Sequence, residues 1–111
     1  SISSINTSLK DFEKFKEDMQ NYLLTVEKRL KKSVQSVQTV RFNPFKGTGS
    51  GSNQSFSTAF VNEERNGVII SSLYSRDHIS VYSKPVKKGI SEYELSNEEK
   101  ESLDKALTEL S

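Results

Sequence analysis

From Ser8 to about Gln38 neither glycine nor proline interrupts the chain, and apolar residues recur at alternating steps of three and four. With Ile2 at position a of a heptad, the a set is Ile2, Leu9, Lys16, Leu23, Leu30 and Val37, and the d set is Ile5, Phe12, Met19, Val26, Ser33 and Val40. Only Lys16 and Ser33 break that seam, so the pattern predicts one long amphipathic helix over 1–40 and makes it a coiled-coil candidate. Residues 1–8 are poor helix formers and are expected to fray, with Ser8 as the N-cap. Leu9, Phe12, Met19, Leu23, Val26 and Leu30 are the candidate self-association residues. Phe15 and Tyr22, both at g, widen the apolar face beyond a two-stranded seam. The stripe therefore fits either docking on the chain's own sheet or pairing with other copies. A division is expected, with the N-terminal half projecting and the C-terminal half docked.

The period changes at Arg41-Phe42-Asn43-Pro44-Phe45. Pro44 pushes Asn43 out of the helical region, and the two phenylalanines make the stretch an apolar corner that locks helix to sheet. The competing reading is an exposed aromatic and basic docking corner. Residues 46–54 are rich in Gly and Ser, but they lack the Gly-Lys-Ser/Thr ending of a phosphate loop and lead into a strand. Ser55 to Val61 alternates, with Phe56, Thr58 and Phe60 on one face and Ser57, Ala59 and Val61 on the other. The Asn66-Gly67 pair signals a hairpin, and Val68 to Tyr74 supplies the next strand. Arg76-Asp77 marks a turn, and His78 to Val86 follows with Pro85 near its end. Lys87-Lys88-Gly89 turns again, and Ile90 to Leu95 reads as a short fourth strand. Ser96-Asn97-Glu98-Glu99 is a capping box, opening a helix with the apolar stripe Leu103, Ala106, Leu107 and Leu110. The fold class is α+β: a long helix over 1–40, then a small domain over 41–111. That domain is an antiparallel meander of three to four strands with a short C-terminal helix packed on it. At roughly 70 residues its own core is marginal, so part of the long helix is expected to complete it.

Composition narrows the function classes. Of 111 residues, 32 % are hydrophobic, which fits a chain only part of which builds a core. Sixteen Lys and Arg face 15 acidic residues, a net charge of +1 that argues against a polyanion binder. The cluster Lys28, Arg29, Lys31 and Lys32 reads as cations complementing a helix C-terminus, with a nucleic-acid or lipid patch as the alternative. The chain has no cysteine, which excludes disulfides and thiolate metal sites. No apolar run approaches the ~20 residues of a membrane span.

Chemistry is sparse. His78 stands beside Asp77, but no nucleophile-elbow motif accompanies it, and it reads as a surface histidine. The carboxylates are dispersed, so neither a metal nor another cofactor is expected. Candidate binding residues are Arg41, Phe42, Asn43, Phe45, Arg76 and Lys84. With Tyr74 and Tyr82 nearby, the basic members could serve a small ligand or a nucleic acid.

From Arg41 onward the chain resembles an uncharacterised bacterial family. The likeness rests on Arg-Phe-Asn-Pro-Phe at 41–45, Gln-Ser-Phe-Ser at 54–57 and Gly-Val-Ile-Ile-Ser-Ser-Leu-Tyr-Ser-Arg at 67–76. It continues through Val81-Tyr82, Lys84-Pro85 and 91–96 into Glu98-Glu99. Asn62 stands where the family's pattern has an acidic residue, and the loop at 47–53 is longer and richer in Ser. The resemblance implies a membrane helix ahead of the domain, and so a cytoplasmic module at the inner face of a bacterial membrane. Together these readings give a non-enzymatic assembly module that partners itself or another protein through its long helix and meets a membrane only through a segment outside this chain.

Overall fold

The computed structural model describes residues 1–44 and 54–110. Phe45 and most of the Gly/Ser-rich loop lie outside the described residues. The chain divides into two compact units, Ser1–Leu30 and Lys31–Ser111.

The first unit is nearly all of α1 (Ile2–Lys32), a single helix of 31 residues with no buried residue. Fraying of its first eight residues is not what the structure shows. Ser1 acts as the cap: its hydroxyl accepts from the Ser4 amide at 3.3 Å and its carbonyl from the Ile5 amide at 3.1 Å. Thr7 adds a back-bond to the Ser3 carbonyl. One satisfied first turn removes the need for a cap at Ser8.

The helix ends at Lys32 rather than near residue 40. After Ser33 the chain forms β1 (Val34–Phe42), which pairs antiparallel with β2 (Ser55–Asn62). The cause lies in the segment's double character. Val34, Val37 and Val40 recur at three-residue steps and mimic a helix, yet Ser36, Gln38, Val40 and Phe42 all turn inward at a period of two. β2 carries five buried residues and needs hydrogen-bond partners along both of its edges, so tertiary pairing decides between the two periods. The true heptad therefore ends at Leu30. Arg41 and Phe42, which open the predicted corner, are in turn the end of a strand, not of a helix.

The sheet continues through β3 (Gly67–Ser75) and β4 (His78–Val86) in the order β1-β2-β3-β4, every pair antiparallel. Gly67 is not the corner of the hairpin. It lies in β3, where a Cβ would come 1.7 Å from the Phe60 carbonyl oxygen, and the left-handed residue of the turn is Arg65 (φ 66°). Asn62 closes this turn, its side-chain oxygen accepting from the Asn66 amide at 3.0 Å. Arg76 and Asp77 both take positive φ, the twist that suits a two-residue hairpin.

The expected strand at Ile90–Leu95 does not form, apart from one bridge between Lys87 and Ile90. Lys88 and Gly89 are left-handed, and the Gly89 amide donates to the Arg65 carbonyl at 2.8 Å. That contact ties the turn to the neighbouring one and leads the chain off the β4 edge. The chain then crosses to α2 (Asn97–Thr108), whose capping box is formed as the sequence predicts. α2 packs on one face of the sheet. The core is Ala59, Val61, Ile69, Val86, Leu103 and Ala106, flanked by Leu95, Leu107 and Leu110. The predicted faces of β2 hold, for Ser57, Ala59 and Val61 point into this core.

Candidate functional site: the cleft at the start of the second helix

α2 covers only part of its face of the sheet. Beyond its N-terminus the sheet and the incoming chain enclose a cleft of about 350 Å³. Phe42, Leu73, Tyr82 and Leu95 wall it, while Ser71, Lys84 and Glu99 form its polar side and Glu94 and Glu98 lie at the helix end.

Glu99 organises the polar side. It is 3 % exposed, yet it has a donor on each carboxylate oxygen. Oε1 accepts from Lys84 Nζ at 2.7 Å and from the Ser96 amide at 2.8 Å, and Oε2 accepts from the Ser71 hydroxyl at 2.8 Å. Burial alone would raise its pKa. The hydrogen bonds from Lys84, the Ser96 amide and Ser71 outweigh that and hold it below the usual glutamate value. Lys84 also donates to the Glu94 carbonyl at 2.7 Å and stands 5.9 Å from the Tyr82 ring centre. Thus β4 grips both the chain entering α2 and the first turn of the helix.

Behind Glu99 the small side chains continue the network. Ser71 lies 3.1 Å from Ser57, Ser57 lies 3.0 Å from Ser102, and Ser102 donates to the Glu99 carbonyl at 3.0 Å. With Glu99 ionised, three hydroxyl protons serve four contacts, so one contact is always without its own proton. Ser71 touches a carboxylate, the first requirement of an activated nucleophile. That carboxylate is stabilised as the anion, however, which makes it a weak base. What the arrangement does is fasten a helix to a sheet and shape one wall of the cleft.

Of the residues selected from sequence, Phe42 and Lys84 line this cleft. Arg41 lies on the opposite face of the sheet, across from Phe56. Arg76 is exposed in the β3–β4 turn, and Asn43 follows β1 half-buried. Arg41, Arg76 and Lys84 are therefore not gathered into one patch. Tyr74 points away from Lys84 and donates to Asp77 Oδ1 at 3.1 Å, and that carboxylate raises the Tyr74 pKa. Asp77 thus serves Tyr74, and His78 beside it is exposed. Among the described residues no group of three or more His, Cys, Asp and Glu could hold a metal ion. The sequence marks Glu99 as part of the capping box but carries no sign of Ser71 as its partner. Their separation of 28 residues gives no periodic signal.

The self-association candidates all fall on α1. Leu9, Phe12 and Leu23 are more than half exposed, Leu30 is 47 % and Met19 39 % exposed, and Val26 is half-buried. Among the described residues no helix is long and apolar enough to cross a membrane.

The family model described as protein of unknown function (DUF4446) matches residues 1–107. No curated protein and no solved structure matches the chain.

Proposed function

We propose, for a chain that belongs to the DUF4446 family, a non-enzymatic assembly module that associates through α1. The observation that carries this reading is a 31-residue helix with an apolar seam and no buried residue. Isolated exposed apolar residues need no explanation, but a continuous stripe of them marks an interaction surface. The reading includes attachment to a membrane in the intact protein, through a segment ahead of α1, as the family resemblance implies. Light scattering of the full chain at high micromolar concentration tests it. A mass above one copy is expected, reduced to one copy by Leu23→Glu. A single-copy mass for the unaltered chain, with no protein partner captured through α1, overturns it.

A second reading has one observation in its favour. The cleft beside Lys84 and Tyr82 has a volume within the range of about 300–1,000 Å³ typical of small-ligand sites. Titration with nucleotides and short RNA or DNA at low salt, followed through the Tyr82 ring resonances, tests it. No shift at millimolar ligand removes it.

A further inference from the structure

We infer that the α1 stripe is covered by α1 of a second copy, lying antiparallel, with Phe12 of each helix opposite Leu23 of the other. This rests on the self-association reading above and adds the partner, the direction and the register. In antiparallel pairs an a position packs against a d position of the other helix. The stated register then joins Ile5 to Leu30, Leu9 to Val26, Phe12 to Leu23 and Lys16 to Met19, each pair occurring twice by symmetry.

Three features select this arrangement. The first is Lys16, the one charged residue in the seam of α1. In a parallel pair two Lys16 ammonium groups would share one layer. In the antiparallel pair each Lys16 stem lies against Met19, whose flexible thioether accommodates it, and the ammonium reaches water.

The second is the pair of aromatics at g, Phe15 and Tyr22, which are 61 % and 60 % exposed. An antiparallel pair brings g positions together, and this register sets Phe15 of each copy against Tyr22 of the other. A parallel pair would put Phe15 beside Gln20 and Tyr22 beside Glu27, leaving both rings without an apolar neighbour. Sliding by one heptad would set Glu13 against Glu13 of the other copy, a like-charge contact absent from the stated register.

The third is charge. Lys10, Lys14 and Lys16 against Asp11, Glu13, Glu17 and Asp18 give the first part of α1 a net charge of −1. Lys28, Arg29, Lys31 and Lys32 against Glu27 give the last part +3. A parallel pair stacks the two +3 ends within a Debye length of each other, whereas the antiparallel register sets each against the uncharged residues 3–8 of the other helix. Two copies attached ahead of α1 to one membrane would then lie along its surface.

The absence of cysteine makes the test clean. Single variants Phe12→Cys and Leu23→Cys of the full chain are oxidised separately and as an equimolar mixture. The expected product is a mixed Phe12→Cys/Leu23→Cys disulfide dimer, at least tenfold above either homodimer. In the stated register the two Leu23 positions are about 16 Å apart along the axis, from 11 residues at about 1.5 Å each, too far for a disulfide. An efficient Leu23→Cys homodimer overturns the antiparallel direction and leaves self-association standing. A two-copy mass by light scattering with neither disulfide overturns the register. A single-copy mass for the unaltered chain overturns the self-association reading itself, and this inference with it.

Discussion

Lys84 on the last strand and Glu99 on the closing helix meet at 2.7 Å, with side-chain exposures of 20 % and 4 %. The more buried partner is the anion, and its other contacts, Ser71 and the Ser96 amide, are donors that cannot neutralise it by proton exchange at ordinary pH. The lysine is therefore the counter-charge that allows this carboxylate to be buried at all.

Removing the lysine should cost more than the pair contributes. Lys84→Ala leaves an ionised carboxylate in a site built for an ion pair. A loss on the order of 2–3 kcal/mol is expected, below the ~3–5 kcal/mol of a fully buried pair because Lys84 is partly exposed. Urea unfolding at neutral pH measures it. A loss under about 0.5 kcal/mol would place the pair with ordinary surface ion pairs.

The same carboxylate fixes a direction of pH dependence. Its folded pKa is lowered, so the unfolded chain takes up the proton first as pH falls. The stabilisation is fully present above the unfolded glutamate value and is lost as pH drops through the lower folded value. Unfolding curves across the acid range should show Glu99→Gln losing less stability than the unaltered chain over that window. Parallel curves for the two proteins would contradict it.

Gly67 admits no side chain. Because a Cβ would overlap the Phe60 carbonyl, Gly67→Ala must push β2 and β3 apart where Val61 and Ile69 pack. A loss of at least about 3 kcal/mol is expected, enough to unfold a marginal domain. Thermal unfolding by circular dichroism reads this directly. A melting temperature within a few degrees of the unaltered chain would rule the clash out.

Ser36 points the other way. Its hydroxyl is buried beside the irregularity between Val34 and Ser36, and it has no hydrogen-bond partner among the described residues. Ser36→Ala removes an unmet desolvation cost and should stabilise by about 1 kcal/mol. If stability falls instead, a partner for the hydroxyl exists in solution.

What the sequence revealed depended on how far apart the interacting residues lie. α1, the alternation in β2 and the Ser96–Glu99 capping box are written in residues a few positions apart, and each was readable. β1 was not, because valines at 34, 37 and 40 satisfy a helical spacing. Only β2, about 20 residues further on, makes the strand the better choice. Ile90–Leu95 failed for the opposite reason. Its local composition suits a strand, but the Gly89–Arg65 bond carries it away from the edge it would have joined. The cleft is half legible, since Phe42 and Lys84 stand out in the sequence as candidate binding residues and both line it. Ser57, Ser71 and Ser102, each ordinary by itself, become a network only through pairing register and helix placement.

Between the helix and the first strand stands a single residue, Ser33. One residue supplies only two soft torsions, and the carbonyl of Lys32, the last helical residue, accepts from the Asn62 side chain at 3.3 Å. Nine residues later, roughly 30 Å along an extended strand, that same strand ends at Phe42 in the wall of the cleft. One strand thus runs from the helix end that Asn62 holds to the wall of the cleft, so a substitution that slips its register on β2 would be felt at both places.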